Sequence, residues 1–187
     1  KRNLRREIKD FDLKKVTSAG RKIWNEELGK ISVSGGTEND RFVFYTSLYR
    51  CLERPVNISE EGRYFCVYDN RIHEDGGYAY YTDDWIWDSY RAAHPLRILT
   101  DQKKHTDIIR SFLRMSEFSS DHWFPNFPEV TGDSRRMNCN HGVSVIADAW
   151  YKGVRDFDLQ EAYTYTKAAI EEKTLAPWSS AKAGWID

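Results

Sequence analysis

Asp12-Leu-Lys-Lys-Val-Thr-Ser-Ala-Gly-Arg-Lys-Ile-Trp-Asn-Glu-Glu-Leu-Gly29 opens on a capping residue and closes on a glycine. Between them Leu13, Val16, Ala19, Ile23, Trp24 and Leu28 recur at a 3.6-residue spacing. Asp12 can accept the first free amide hydrogens, and Gly29 suits the position just past the last turn. The stretch therefore predicts a helix. Outward from it the pattern repeats. Gly35-Gly36-Thr37 predicts a loop before a second helix around residues 40–52, which Pro55 ends.

Residues 56–84 break the helical pattern. Arg63-Tyr-Phe-Cys-Val-Tyr68, a turn at Asp69-Asn70, and Arg71-Ile72 predict a short strand pair. Gly76-Gly77 and Tyr78-Ala-Tyr-Tyr81 complete this small β excursion. Helices resume near Asp88, with Pro95 bending or breaking the third. Asp101 caps a fourth, with Ile108, Ile109, Phe112, Leu113 and Met115 on one side. Residues 118–140 predict a long loop, and such loops inside compact domains usually carry function. A fifth helix spans residues 142–152 with Gly153 at its end. Asp158 caps a sixth over 159–173, and Pro177 stops it. Helix, short link, helix, long loop, helix predicts a mainly α fold of paired helices, such as part of a toroid.

The 187 residues suffice for one domain with a real core. Net charge is −1, so no electrostatic footprint points to nucleic acid or a membrane surface. No stretch approaches the roughly 18 apolar residues of a membrane helix. Lys1-Arg-Asn-Leu-Arg-Arg6 has no apolar run behind it and does not read as a signal peptide. Both ends read as cuts in a longer polypeptide. Cys51, Cys66 and Cys139 are too few and irregular for a disulfide framework or a CxxC site. Aromatics make up 14% of the chain, with seven Trp and eleven Tyr, and they cluster in Gly/Pro/Asp-rich stretches.

That clustering directs attention to four stretches. They are Trp85-Ile-Trp-Asp-Ser-Tyr-Arg-Ala-Ala-His-Pro-Leu96, His122-Trp-Phe-Pro-Asn-Phe-Pro-Glu129, Gly132-Asp-Ser-Arg-Arg-Met-Asn-Cys-Asn-His141, and Ile146 through Asp158. Aromatic faces beside carboxylates suit a sugar, whose CH faces stack while its hydroxyls take hydrogen bonds. Asp88 reads as a helix N-cap, as a partner for sugar hydroxyls, or both, with Trp85 or Trp87 as a stacking face. Trp123, Phe124 and Phe127 read as plugs under the long loop or as one wall of a sugar subsite. Glu129 and Asp133 read as solvated loop carboxylates or as the acid of a glycosidase, which needs one protonated carboxyl and one that activates water. His141 reads as a donor to a sugar hydroxyl or as a buried, satisfied histidine.

Taken together the motifs resemble glycoside hydrolase family 92, the calcium-dependent exo-α-mannosidases. Trp24-Asn-Glu-Glu-Leu-Gly-Lys-Ile31 is similar to the family's Trp-Asn-x-x-Leu-Gly-x-Ile. Phe44-Tyr-Thr-Ser-Leu-Tyr49 is similar to its Phe-Tyr-Thr-Ala-Leu-Tyr, and Glu61-Gly-Arg-Tyr64 to its Asp-Gly-Arg-Tyr. Trp87-Asp-Ser-Tyr-Arg91 with His94-Pro-Leu96 resembles Trp-Asp-Thr-Tyr-Arg-Ala-x-His-Pro-Leu. Met137 through His141, Val145-Ile-Ala-Asp-Ala149 and Lys152-Gly153 complete the run. The resemblance implies that residues 1–187 are one segment, the N-terminal part of an (α/α)6 catalytic domain, without the family's β-sandwich and without the downstream aspartates that act as general base. It implies inverting removal of terminal α-linked mannose by the full-length protein, with the isolated segment inactive. The glycan and the rest of the same polypeptide are the implied partners, Ca2+ the implied cofactor with ligands largely outside the segment, and a secreted or periplasmic location the implied compartment. Asp133 stands where the family has its acid glutamate, with Glu129 as the neighbouring carboxyl. Trp87, Asp88, Arg91 and His141 are the implied substrate-binding residues. Asp133 is one methylene shorter, a retreat of roughly 1.5 Å, and a misplacement of about 1 Å can cost on the order of 100-fold in rate. A non-catalytic glycan-binding relative and a trehalase-like (α/α)6 glycosidase are the alternatives.

Overall fold

The computed structural model describes residues 2–134 and 140–172. The chain divides into two compact units, Lys1–Leu52 and Glu53–Asp187. The first holds α1 (Arg2–Glu7), α2 (Leu13–Leu28) and α3 (Glu38–Leu52). Asp12 caps α2 by accepting from the amides of Lys14 at 2.9 Å and Lys15 at 3.3 Å. α3 starts two residues earlier than its apolar spacing predicts, because Thr37 and Asp40 cap it reciprocally. The Asp40 carboxylate accepts from Thr37 N at 2.8 Å, and Thr37 Oγ1 accepts from Asp40 N at 3.2 Å. Tyr45 donates to the Ile31 carbonyl, and the Trp24 and Tyr49 rings meet at 4.6 Å. The apolar stripe of α2 stays exposed: Leu13 is 77% and Ile23 60% accessible. Within this unit Leu48 is the buried apolar residue.

In the second unit short β pairs precede and interrupt the helices. β1 (Val56–Asn57) lies antiparallel to β4 (Tyr81–Thr82), and β2 (Arg63–Cys66) to β3 (Arg71–Glu74). The β excursion thus falls within residues 56–84 as expected. The hairpin register pairs Arg63 with Glu74 and Cys66 with Arg71, so its turn spans four residues rather than Asp69-Asn70 alone. Asn70 supplies the left-handed position, which Asn tolerates well. On β2, Tyr64 and Cys66 face inward and Arg63 and Phe65 outward, as the two-residue period requires.

The helices then follow as α4 (Ile86–Ser89), α5 (Ala93–Thr100), α6 (Gln102–Phe118), α7 (Gly142–Tyr151) and α8 (Leu159–Glu172). Pro95 does not break a helix. It sits in the first turn of α5, where its missing N–H has no helical partner to lose, and the interruption falls earlier, at Tyr90–Ala92. Asp101 and Asp158 cap α6 and α8 as expected, accepting from Lys104 N at 3.0 Å and Glu161 N at 2.9 Å. The expected end of the sixth helix at Lys173, and the stop at Pro177, lie outside the described residues. α6 is the spine of the unit. Ile108, Ile109 and Phe112 are fully buried, and the helix packs on α5, β4 and α8. The 118–140 stretch is not all loop, for it contains a β pair of two-residue strands, β5 (Pro128–Glu129) and β6 (Gly132–Asp133). No described helix is long and apolar enough to cross a membrane.

Candidate active site

The stretch leading into α4 is bound through its main chain to the segment that carries both candidate catalytic carboxyls. Asp84 N donates to the Pro128 carbonyl at 3.1 Å and Ile86 N to the Asn126 carbonyl at 3.3 Å. Within the second segment, one Asp133 oxygen accepts from Asn126 N and the other from Phe127 N, both at 2.9 Å, and Ser134 N donates to the Phe127 carbonyl. Asp133 is therefore not a merely solvated loop carboxylate. It pins the start of its own hairpin, placing Glu129 opposite Gly132 and Pro128 opposite Asp133. Phe124 and Phe127 are buried at 2% and 7%, so they are plugs rather than a sugar wall. Trp123 is half-buried and donates its indole N–H to Glu172 at 2.9 Å.

α4 presents Trp87 and Asp88 to solvent. Asp88 is not the N-cap; that position is Trp85, and Asp88 lies in the first turn, where a carboxylate still faces the positive helix end. Trp85 and Trp87 are 36% and 45% exposed, which leaves aromatic face for stacking, and the Arg54 guanidinium lies 4.2 Å over the Trp85 ring. Just beyond, Arg91 Nε donates to the Tyr90 hydroxyl at 3.1 Å. The Tyr90 ring stacks on His141 with centroids 4.0 Å apart and planes 4° from parallel. Partial burial, with the nearby Arg91 charge, holds the His141 imidazole below its ordinary pKa. Trp87, Asp88 and Arg91 thus share one short stretch, joined through Tyr90 to His141 and, by the main-chain bonds of Asp84 and Ile86, to Pro128 and Asn126 in the segment that carries Glu129 and Asp133. Of the run Met137 through His141, Met137, Asn138 and Cys139 lie outside the described residues.

Beneath α4 lies a charged cluster that sequence reading did not single out. Asp84 is 1% exposed, accepts from Ser89 Oγ at 2.7 Å and has His94 Nε2 2.9 Å from its other oxygen. Burial pushes the Asp84 carboxyl up, but His94, Arg97 and Ser89 outweigh it and hold the group below the ordinary carboxylate range. Arg97, also buried, donates to the Arg54 carbonyl. The buried His105 ring sits 5.3 Å from His94, and burial, with the His94 and Arg97 charges pressing the same way, takes its pKa down to about 3. This cluster holds the floor of α4 fixed. The one available signal was Asp84 and His94 flanking the Trp85–Arg91 stretch.

The model of the glycosyl hydrolase family 92 catalytic domain matches residues 1–186. The chain belongs to family 92. Its mainly α fold is part of the (α/α)6 toroid of that family's catalytic domain. A family 92 alpha-mannosidase from Bacteroides thetaiotaomicron is 29% identical with a TM-score of 0.82; the match covers 91% of this chain and 23% of that one. The same enzyme in complex with mannoimidazole gives 29% and 0.83 over 91% and 22%. A family 92 inverting mannosidase from that organism is 30% identical with a TM-score of 0.77, over 87% and 22%. The chain therefore spans under a quarter of the length of these family 92 structures. No curated protein matches it.

Proposed function

We propose that the whole protein is an inverting glycoside hydrolase that removes terminal α-linked mannose from glycans. The observation that carries this is the joining of the Trp87–Asp88 turn, by main-chain hydrogen bonds, to the Glu129–Asp133 hairpin, within a family 92 chain. It sets a stacking face and hydroxyl-binding groups on the same support as candidate proton donors. A likeness to solved structures described as an inverting mannosidase and as a mannosidase bound to mannoimidazole supports the same reading.

In this proposal Trp87 stacks on the terminal sugar, Asp88 and Arg91 take its hydroxyls, and His141 lines the same subsite. Asp133 stands at the family's acid position and delivers a proton to the departing oxygen, while a carboxylate elsewhere in the polypeptide activates water on the opposite face. One observation favours Glu129 as the donor instead: both oxygens of Asp133 already accept main-chain amides. Calcium, which the family resemblance implies, takes six to eight oxygens. Among the described residues, the group of three that could converge on a cation is Cys66, Asp69 and His73, whose thiol and imidazole do not fit calcium. As the family resemblance implies, calcium ligands would come largely from the rest of the polypeptide.

The test is release of mannose from an α-mannoside by the full-length protein. Loss of release in Asp88→Ala and in Asp133→Asn or Glu129→Gln is the expected outcome. A glycan-binding protein without hydrolysis would bind mannosides and release nothing.

A further inference from the structure

The β2–β3 hairpin holds a second set of chemically competent side chains, on elements other than those of the candidate active site. Cys66, the last residue of β2, is fully buried with its side chain inward. Burial pushes the Cys66 thiol up, and the main chain of Tyr68 and Asp69 in the following turn pulls it the other way to a smaller extent. Asp69 turns its carboxylate back over the hairpin. One oxygen accepts from Arg71 N at 3.2 Å, and the other lies 2.8 Å from His73 Nε2. The His73 ring is clamped between Tyr64, at 5.5 Å, and Phe118, at 4.4 Å, so its direction is set by packing and not by the carboxylate alone. The sulfur, imidazole nitrogen and carboxylate oxygen all lie within 4.8 Å of one another.

We propose that Cys66, Asp69 and His73 form a zinc-binding site on the β2–β3 hairpin, with water in the open fourth position. One thiolate, one imidazole and one carboxylate are donors this borderline-soft cation accepts in tetrahedral geometry. With Zn–S near 2.3 Å and Zn–N and Zn–O near 2.0–2.2 Å, the donor atoms of such a site stand roughly 3.3–3.6 Å apart. The hairpin reaches that spacing by opening the 2.8 Å His73–Asp69 pair by roughly 0.5 Å and drawing in the sulfur, which starts within 4.8 Å of both. The Cys–x2–Asp–x3–His spacing across a four-residue turn delivers all three donors without long-range ordering. On binding, the thiol proton leaves to solvent, and the proton His73 Nε2 shares with Asp69 moves to Nδ1 through solvent, so that Nε2 and the carboxylate oxygen are each free to bind the metal. Asp69 and His73 retain partial exposure, which gives the cation a path in.

Cobalt(II) serves as the spectroscopic probe. The full-length protein, freed of metal by chelation, is titrated with Co2+ and then with Zn2+. The expected result is about one Co2+ per chain with an intense near-ultraviolet sulfur-to-cobalt band, displaced by stoichiometric zinc. The band disappears in Cys66→Ser, and Co2+ affinity falls at least about tenfold in both Asp69→Asn and His73→Asn. A wild-type protein without that band, or a band that survives Cys66→Ser, overturns the proposal. Should Cys66→Ser fail to fold, unchanged affinity in the other two variants overturns it equally.

Discussion

Asp84 shows how one residue can govern a site it never touches. It is buried below α4, held by Ser89 and His94, while its amide is tied to the hairpin that bears Asp133. Removing one side of such a buried pair strands a charge, which costs about 3–5 kcal/mol. His94→Ala is therefore expected to lower the urea midpoint of the full-length protein strongly and to loosen α4; a loss near zero would remove the cluster from the account. The same cluster sets a pH response. His105 stays neutral in the fold down to about 3, whereas the unfolded chain protonates it below its ordinary 6.5. The unfolded state then binds more protons between those values, so stability falls as pH drops below 6.5, by at most about 1.4 kcal/mol per unit for one group. Asp84, with its depressed pKa, acts in the same direction further down: its contribution is present above the unfolded carboxylate range and is lost as pH falls through the folded value. Denaturant midpoints at pH 7 and pH 5 check this, with His105→Leu expected to lose less than wild type between the two. Asp133 has a different double role. Asp133→Asn removes a charge from two amide donors, and charge-assisted hydrogen bonds contribute about 1.5–3 kcal/mol each. Stability and rate should both fall. Glu129→Gln, if Glu129 is the donor, should lower rate on a poor leaving group with stability unchanged, and an activated aryl mannoside should respond much less.

At the scale of elements, α7 begins at a close approach, for among the described glycines Gly142 has the least room for a side chain. A Cβ on Gly142 would stand 2.2 Å from Phe124 Cδ1, a ring that is itself buried. Gly142→Ala must therefore push α7 and Phe124 apart, at a cost of about 1–3 kcal/mol for overpacking, and it should displace His141 from Tyr90. Weaker mannoside binding together with a lower melting temperature is the expected result; an unchanged protein would show that α7 is loosely seated. The elements also show what could be read in advance. The caps at Asp12, Asp101 and Asp158 were legible because the carboxylate and its amides lie two or three residues apart. The break before α5 was misplaced onto Pro95 because a proline in a first turn and one in mid-helix look alike until the first turn is located. The β5–β6 pair was illegible. Its strands are two residues long, and what holds them is Asp133 reaching back to the amides of Asn126 and Phe127. In the site, Trp87, Asp88 and Arg91 stood out because they are contiguous, and their link to His141 through Tyr90 required the fold. Asp84 with His94, and Cys66 with His73, stayed hidden because only the chain reversal brings them into contact.

For the molecule as a whole, the proposed function has this family 92 chain carry a sugar-facing turn and a proton donor, with the remaining groups of an inverting mannosidase supplied from elsewhere in the polypeptide. Inversion is the part most specific to that arrangement, since it requires two carboxyls far enough apart to admit water rather than one that attacks the sugar. The direct measurement is proton NMR of the first turnovers on an α-mannoside by the full-length protein, before the released sugar mutarotates. Beta-mannose as the first product, lost in Asp88→Ala and in the carboxyl variant that proves to be the donor, is the expected result. Alpha-mannose appearing first, or no mannose released by the folded wild-type protein, would contradict the account.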